Sequence, residues 1–277
     1  MIRPGNPTGL KFNFRPIGMI ESPYKEKFGT PRQPGLVQES RGSILLRDDL
    51  NPDSLEGLAD YSHVWVVFVF HENQSVREGR ETVKTKVHPP RLEGKSVGVF
   101  ATRSPHRPNP IGLSLLEIEK IEGRRVFVRG LDLIDKTPVL DLKPYLPNVE
   151  SVAGAFEGWS GEIVSRSVLV EWSPIAKENL RALSGTANSE TELQAAIEKS
   201  LELDPRPVSY RGTFENPDPY TSLYGFRFDE WNVVFQMLPA SPGPDAGADS
   251  DATSGAPLQP KRARIERIEL WPKRSKR

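Results

Sequence analysis

The densest group of chemically useful side chains lies at Thr102–Ser114, which reads TRSPHRPNPIGLS. Three prolines in Pro105–Pro110 fix the backbone and remove donors, so this stretch is expected to form a stiff loop held by a neighbouring strand. The loop presents Arg103, Arg107 and Asn109, and guanidinium groups bind carboxylates or phosphates through paired hydrogen bonds. From these residues alone, a stiff barrel corner with solvated arginines is an equally good interpretation.

Two other segments carry polar groups in a similar setting. Pro31–Gly35, PRQPG, holds an arginine and an amide between prolines, although an ordinary loop is the simpler interpretation. Asp132–Tyr145 contains Asp132, Asp135 and Asp141. Such carboxylates can bind a cation, hold ribose hydroxyls or act as a base, but carboxylates flanking a surface turn are commoner.

Several classes of chemistry are excluded or disfavoured. The chain has no cysteine, so it has no disulfide, thiolate metal site or cysteine nucleophile. His63 and His71 would lie about 26 Å apart on an extended strand, too far to share an ion, and we expect no metal. The motifs of a Rossmann dinucleotide loop, a P-loop and a hydrolase nucleophile elbow are missing from the sequence.

The segments that must position these groups are mainly β. Runs of alternating or continuous β-branched and aromatic residues dominate the first 170 residues, and Glu122-Gly123 predicts a hairpin turn. Because long helices do not separate the runs, an antiparallel barrel or sandwich is favoured over a doubly wound sheet. The predicted strands are Arg15–Glu21, Ser43–Arg47, Ser62–Phe70, Ser96–Ala101, Leu113–Ile121, Arg125–Leu133 and Val139–Lys143.

After about Gly158 the pattern changes to a small α+β unit. Ser173-Pro174 opens a helix that we expect to end near Leu183, and the capping-box pattern at Ser189–Glu192 opens another. The second helix carries one apolar face, formed by Leu193, Ala196, Ile197 and Leu201. Strands are predicted at Ile163–Trp172, Tyr224–Phe228 and Trp231–Met237.

Composition and charge divide the chain into five parts. The predicted parts are an N-terminal extension at 1–13, the barrel at 14–157, the α+β domain at 158–238, a disordered linker at 239–260 and a basic tail at 261–277. The linker has five Pro, three Gly and three Asp and cannot bury enough apolar surface to order itself. The tail has eight Lys or Arg and two Glu, so its net charge is +6 in a chain of net charge zero. We expect such a tail to raise the concentration of polyanions near the barrel or to act as a nuclear-import signal. The alternative is a solvated tail that the protein does not require.

Chain length and hydropathy limit the number of domains and the cellular compartments that we expect. A chain of 277 residues can form one main domain with a smaller appendage. Met1–Phe14 lacks the apolar core of a secretory signal, and the longest apolar run, Val64–Phe70, is far shorter than the ~20 residues of a membrane helix. We expect a soluble protein without a membrane partner, cytoplasmic or, given the basic tail, nuclear.

Five motifs follow one another along the N-terminal part of the chain: SPYKEKFGTPRQPG at Ser22–Gly35, YSHVWVVFVFH at Tyr61–His71, PPRL at Pro89–Leu92, GVFATRSPHRPNPIGLS at Gly98–Ser114 and DLIDKTPVLDLKPYLP at Asp132–Pro147. In order and spacing they resemble the TrmO (TsaA-like) family across roughly residues 14 to 150. DPRPVSYRG at Asp204–Gly212, with YGFRF and WNVVFQM, is similar to that family's C-terminal unit and extends the resemblance to about Met237.

The resemblance implies a single-sheet antiparallel β-barrel methyltransferase, unrelated to the Rossmann type, that works as a homodimer with S-adenosyl-L-methionine as cofactor. The implied reaction is methylation of N6 of N6-threonylcarbamoyladenosine at position 37 of threonine tRNA. A non-catalytic RNA-binding β-barrel is the competing interpretation, because rigid basic loops and a basic tail would suffice for it.

The resemblance also implies a set of site residues. Arg107 and Asn109 are the predicted substrate contacts, Asp135 and Asp132 are the candidate catalytic carboxylates, and Arg103 or Arg107 would meet a cofactor carboxylate or a tRNA phosphate. The implied cofactor-binding residues are Pro31, Arg32, Gln33, Pro34, His71, Glu72, Arg103, Leu113, Asp132, Leu133, Ile134 and Asp135.

Overall fold

The computed structural model describes residues 12–73, 84–89, 92, 95–160, 168–183, 190–206, 222–239 and 261–271. Twelve strands and three α-helices lie in these ranges. The strands are β1 (Gly18–Glu21), β2 (Arg41–Leu46), β3 (His63–Val69), β4 (Lys86–Val87), β5 (Val97–Gly98), β6 (Ile111–Glu122), β7 (Arg125–Arg129), β8 (Pro138–Pro144), β9 (Leu169–Trp172), β10 (Leu223–Phe228), β11 (Trp231–Leu238) and β12 (Arg262–Leu270). The helices are α1 (Pro147–Glu150), α2 (Pro174–Leu183) and α3 (Glu190–Glu202).

Six strands form a closed antiparallel barrel in the order β1-β2-β7-β6-β3-β8, which confirms the predicted fold class. Closure comes from the pairing of β1 with β8, where Gly18 lies opposite Val139. Every second side chain of a strand fills the barrel interior. In β3, Val64, Val66 and Phe68 are buried, while the residues between them are partly exposed. Successive side chains of a strand point to opposite faces, so one face of each strand reaches the core.

The barrel has one rim at which the predicted site loops all emerge. At this rim β1 ends opposite the beginning of β2, β3 ends opposite the beginning of β6, and β7 ends before the connection to β8. The connections 22–40, 70–110 and 130–137 therefore leave the barrel on one side. They hold the three polar segments that the sequence identified.

The second unit is a four-stranded sheet in the order β10-β11-β12-β9. Its core includes Leu180 of α2, Ile197 of α3, and Phe226, Phe235 and Ile265 of the sheet. The predicted helix starting at Pro174 and the hairpin around Asp229 are confirmed. In α3, the apolar face predicted from the sequence is buried as expected.

The loop 22–40 joins the two units. Tyr24 and Val37 belong to the core of the second unit, and the Tyr24 ring meets Phe228 edge-on with centroids 5.5 Å apart. Gly29 has φ of +91°, and a Cβ there would lie 2.5 Å from a ring carbon of Phe226. Only glycine tolerates this conformation and this closeness. The loop is thus fixed to the second unit on one side and to the barrel on the other.

The interpretation of 261–277 as a tethered tail is wrong for its first half. Arg262–Leu270 is a strand between β11 and β9, antiparallel to the first and parallel to the second. Ala263, Ile265 and Ile268 are buried in the sheet. Charged residues separate these apolar positions, and that is the alternation of a half-buried strand. The residues 272–277 and the predicted linker from 240 to 260 lie outside the described residues.

Other element boundaries differ from the sequence predictions. The predicted strand Ser96–Ala101 is only the short β5 followed by a 3-10 helix at Val99–Ala101. The predicted strand Arg125–Leu133 ends at Arg129 because Gly130 adopts φ of +70°. Of the predicted strand Ile163–Trp172, the part at 163–167 lies outside the described residues, and β9 begins at Leu169. No helix in the described ranges is long and apolar enough to cross a membrane.

Candidate functional site

Two of the stiff loops meet at the barrel rim through a direct side-chain contact. Arg103 Nη1 donates a hydrogen bond of 2.8 Å to Gln33 Oε1. Gly35 N–H donates to the carbonyl oxygen of Gly130 at 2.9 Å, which ties the same loop to the third connection. Residues that are 70 positions apart in sequence therefore meet at one edge of the barrel rim.

Asp132 lies next to this edge with an unusual protonation equilibrium. Ser114 Oγ donates to Asp132 Oδ1 at 2.7 Å. Burial raises the pKa of the Asp132 carboxyl to about 7, although the Ser114 hydrogen bond, a backbone hydrogen bond and the charge of Arg103 lower it. Removal from water disfavours the carboxylate, and this effect is larger than the three favourable ones. Near neutral pH this group can therefore hold or release a proton.

Asp135 has a different environment, in which both oxygens are engaged. The backbone N–H of Ser22 donates to Asp135 Oδ1 at 3.0 Å, and the Lys25 ammonium lies 3.2 Å from Oδ2. The Asp135 N–H also donates to the Tyr24 carbonyl oxygen at 2.7 Å. This carboxylate joins the third connection to the beginning of the loop 22–40.

The end of β3 contributes a histidine and a carboxylate beside a cleft. His71 Nε2 lies 3.8 Å from Glu72 Oε1, and the Lys27 ammonium donates to the Glu72 carbonyl oxygen. Burial, with a smaller contribution from the charge of Lys27, lowers the pKa of His71. A cleft of about 400 Å³ lies here, lined by Lys25, Glu26, Lys27, Phe28 and Glu72.

The proline-rich loop is anchored by its backbone. The amide of the buried Asn73 donates to the Pro105 carbonyl oxygen at 2.8 Å, and Phe70 N–H donates to the Pro110 carbonyl oxygen at 2.8 Å. Arg107 donates to the Thr102 carbonyl oxygen at 3.1 Å. Asn73 and Phe70 thus hold the loop backbone that carries Arg103, whereas Arg107 bonds to that backbone itself.

The structure brings most of the predicted site residues to one rim, in two neighbouring groups. Gln33, Arg103 and Asp132 form the first group, and His71 with Glu72 lies in the second beside the cleft. Asn109 is exposed on the proline-rich loop, Pro31 and Leu133 are buried, and Leu113 is half-exposed on β6. The remaining predicted residues lie on the same loops, namely Arg32, Pro34, Arg107 and Ile134.

Sequence reasoning missed four residues that support the site: Ser114, Ser22, Lys25 and Lys27. Ser114 and Ser22 are buried polar residues bonded to the two aspartates. The two lysines could have been found from the sequence, because the stretch SPYKEK places both cations shortly before the PRQPG loop. In the described part of the chain, no three His, Asp or Glu side chains are grouped so as to hold a metal.

Two domains of one protein family match most of the chain. The tRNA-methyltransferase O N-terminal domain matches residues 19–151. The TrmO C-terminal domain matches residues 165–241. The two matches follow the order of the barrel and the second unit, although β12 lies beyond the second match.

Individual relatives show the same similarity. A protein of Escherichia coli named tRNA (adenine(37)-N6)-methyltransferase is 41% identical over 230 residues, 80% of this chain and 94% of that protein. A Mus musculus protein of the same name is 52% identical over 139 residues, 49% of this chain. The present chain spans only about a third of that mouse relative, since the match covers 31% of it. Relatives from Pseudomonas aeruginosa and Pyrococcus abyssi carry names that refer to S-adenosylmethionine.

Solved structures agree with the sequence comparison. A crystal structure of TrmO from Pseudomonas aeruginosa matches with a TM-score of 0.69 and 30% sequence identity, covering 94% of this chain and 99% of that chain. The likeness therefore includes both the barrel and the second unit.

Proposed function

The chain belongs to the tRNA-methyltransferase O (TrmO) family, and we propose from this premise that it methylates N6 of adenosine 37 in tRNA with S-adenosyl-L-methionine. The observation that carries the proposal is the meeting of Gln33, Arg103 and Asp132 at one barrel rim, within the part of the chain that the family's N-terminal domain matches. An RNA-binding barrel that catalyses no reaction does not require a carboxyl group whose pKa is near neutral.

The chemistry of the rim fits the cofactor. S-adenosyl-L-methionine presents a carboxylate, an ammonium group, ribose hydroxyls and an adenine ring, and it supplies a methyl group activated by a sulfonium charge. The Arg103 guanidinium suits the carboxylate, and the Asp132 carboxyl suits the hydroxyls or the ammonium group. Leu113, half-exposed on β6 one residue before Ser114, offers an apolar surface near this rim. Asn73 also has a buried amide oxygen that meets no hydrogen-bond partner among the described residues.

The protein's contribution to the reaction is alignment and control of one proton. The loop prolines and the Asn73 and Phe70 hydrogen bonds hold Arg103 in a fixed place before a ligand binds. Such preorganisation lowers the barrier because orienting the reactants has already been achieved. A cationic donor loses its charge during transfer, so alignment gains more than tight binding of that charge.

Of the two candidate carboxylates, Asp132 is the better proton acceptor. Its pKa of about 7 permits the carboxylate to accept the N6 proton while Ser114 remains bonded to Oδ1. Asp135 keeps its oxygens on Ser22 and Lys25, which supports a role in shaping the site.

We propose further that the substrate adenosine carries a threonylcarbamoyl group and belongs to threonine tRNA. A urea-like N6–H is more acidic than the N6–H of adenine, so an acceptor with a pKa near 7 suffices only for the modified base. The test offers labelled S-adenosyl-L-methionine with the same tRNA, with and without the threonylcarbamoyl group. We expect transfer only to the modified tRNA, and equal transfer to both would remove this requirement.

We also propose that the active unit is a homodimer. Phe100 and Leu113, beside the proline-rich loop, are 76% and 50% exposed, and apolar side chains at a site rim are commonly covered by a partner. Sedimentation velocity should therefore find the wild-type chain as a dimer, and Phe100→Arg should convert it into a less active monomer. A wild-type chain that is fully active as a monomer would contradict this proposal.

A further inference from the structure

Three cationic or ionisable side chains lie around the proline-rich loop and the neighbouring cleft. Lys27 comes from the loop 22–40, Lys84 precedes β4, and His106 belongs to the proline-rich loop itself. The side chains of Lys27 and Lys84 are exposed to solvent. Three separate parts of the chain therefore bring groups that attract anions to one side of the rim.

Two hydrogen bonds bring Lys27 and His106 to neighbouring positions. The Lys27 ammonium donates to the carbonyl oxygen of Glu72. The next residue, the buried Asn73, donates from its side-chain amide to the carbonyl oxygen of Pro105 at 2.8 Å. Since His106 follows Pro105 directly, the residues after β3 hold both side chains beside them.

Backbone contacts place Lys84 near the same histidine. Val99 N–H donates to the Thr85 carbonyl oxygen at 3.0 Å, and the Thr102 hydroxyl donates to the Val99 carbonyl oxygen at 2.8 Å. Two more side-chain hydrogen bonds then fold the loop between residues 102 and 106. The segment that carries Lys84 is therefore fastened to the beginning of the proline-rich loop.

The charges that reach His106 from the described residues are all positive. Partial burial lowers the pKa of His106, and the charges of Lys84 and Lys27 lower it further. At His71, by contrast, the charge of Glu72 acts in the opposite direction. Positive charges that the fold holds close together repel one another until a counter-charge binds, so this place favours an anion.

The two lysines of the cleft differ in their partners. The Lys25 ammonium lies 3.2 Å from Asp135 Oδ2 and 3.6 Å from Asp229 Oδ1, so carboxylates balance its charge. Lys27 bonds to a carbonyl oxygen, which carries no formal charge. Within the described ranges, the charge of Lys27 is thus not balanced by an ion pair.

The two carboxylates that line the cleft have other partners. One Glu26 oxygen accepts the Arg227 N–H at 3.2 Å, and one Glu72 oxygen lies 3.8 Å from His71 Nε2. Both carboxylates are thereby engaged by groups other than the three cationic side chains.

The substrate proposed above carries an anion that must come close to this cleft. Its threonylcarbamoyl group ends in a carboxylate only a few bonds from N6, so this carboxylate lies beside the reacting nitrogen. The cleft has a volume of about 400 Å³, within the range of about 300 to 1,000 Å³ that is usual for small-ligand sites. Glu72, a predicted cofactor residue, lines it.

Given the proposed function, on which this inference rests, we propose that Lys27, Lys84 and His106 bind the carboxylate of the threonylcarbamoyl group. Two ammonium groups and an imidazole N–H can supply charge-assisted hydrogen bonds to its oxygens. Unmodified adenosine offers no anion here and leaves the cations without a counter-charge. The three side chains therefore select the modified base.

The test compares two RNAs that differ only in the charge of this group. Both are the same labelled anticodon stem-loop, one with threonylcarbamoyladenosine at position 37 and one with its methylamide, in which the carboxylate is replaced by a neutral group. Fluorescence anisotropy measures the affinity of the chain for each RNA at one salt concentration. The ratio of the two affinities reports recognition of the carboxylate, because all other contacts are shared.

We expect the wild-type chain to bind the carboxylate RNA about tenfold or more tightly than the amide RNA, as charge-assisted hydrogen bonds predict. Lys84→Gln, His106→Asn and Lys27→Gln should each reduce this ratio at least about threefold. The control is Lys143→Gln, which removes an exposed cation of β8 at the end of the barrel away from the rim and should keep the wild-type ratio. Unfolding midpoints establish that each variant is folded.

A wild-type ratio near one, or variants that keep the wild-type ratio, would overturn the proposal. If the variants lose equal affinity for both RNAs and the loss shrinks at high salt, the cations bind a backbone phosphate and the assignment to the threonylcarbamoyl group is wrong. If Lys84→Gln instead loses affinity for S-adenosyl-L-methionine without RNA, the cation serves the cofactor, and the proposal is also wrong.

Methyl transfer from labelled S-adenosyl-L-methionine to both RNAs, measured in parallel, separates this proposal from the proposed function. A chain that prefers the carboxylate RNA through these residues yet transfers no methyl group would refute the reaction and keep the binding site. Equal affinity for the two RNAs with methyl transfer to both would refute the binding site and keep the reaction.

Discussion

Replacing Asp132 by Asn should abolish a pH dependence of cofactor binding that the wild-type protein shows. Burial raises the pKa of this carboxyl to about 7, so the carboxylate fraction rises from about 9% at pH 6 to about 91% at pH 8. A ligand that binds the carboxylate form should therefore bind about tenfold more tightly at pH 8 than at pH 6. This ratio corresponds to about 1.4 kcal/mol of binding free energy. Asp132→Asn should bind weakly and with little pH dependence.

Calorimetric titration with S-adenosyl-L-methionine at pH 6, 7 and 8, without RNA, measures this effect. Ser114→Ala is the matched variant, because Ser114 lowers the pKa of Asp132 through its hydrogen bond. Its loss should move the midpoint of the affinity profile to higher pH. A wild-type affinity that is constant across this range, or a variant that keeps the wild-type profile, would refute the reasoning.

The same raised pKa has a consequence for stability. The folded protein binds this proton more tightly than the unfolded chain does, so the stabilising contribution is complete below about pH 4 and is lost as pH rises through about 7. In urea denaturation, the free energy of unfolding of the wild-type protein minus that of Asp132→Asn should therefore be smaller at pH 8 than at pH 5. A difference that grows with pH would contradict the raised pKa.

Three further changes test other parts of the molecule. Arg103→Ala should weaken cofactor binding by about ten- to a hundredfold through loss of a charge-assisted hydrogen bond, measured by calorimetry, with an unchanged unfolding midpoint; unchanged affinity would remove Arg103 from the site. Ile265→Ala should cost about 2 to 5 kcal/mol in urea denaturation, because this residue of β12 is fully buried; a loss below about 0.5 kcal/mol would contradict the placement of β12. Gly29→Ala should destabilise the protein by about 1 to 3 kcal/mol, and a Phe226→Leu partner that makes room for the new Cβ should recover part of it; no loss would contradict the positive φ and the contact with Phe226.

The barrel and much of the second unit could be predicted because their signals are local. Alternation along β3 and β6, the hairpin at Glu122-Gly123 and the apolar face of α3 are visible within windows of about a dozen residues. The loops of the candidate site were also visible, since prolines and arginines are concentrated in them. The assignment of cofactor roles to particular residues came from resemblance and stays a prediction.

The parts that were missed depend on partners distant in sequence. The Ser22 N–H bonds Asp135 from 113 positions away, and no local pattern indicates such a pair. β12 reads as a basic tail because its Arg and Glu residues outnumber its apolar ones, yet Ala263, Ile265 and Ile268 complete a sheet whose other strands lie before residue 239. Net charge measured over a segment does not reveal that its cations are individually paired.

The most direct test of the central claim locates the methyl group in the RNA. The wild-type chain is incubated with labelled S-adenosyl-L-methionine and threonylcarbamoylated tRNA, and with the same tRNA carrying guanosine at position 37. The label should enter only the first tRNA, and mass spectrometry of its nucleosides should place one added methyl group on N6 of the adenosine at position 37. Label in the guanosine-37 tRNA, or in a nucleoside from another position, would contradict the account.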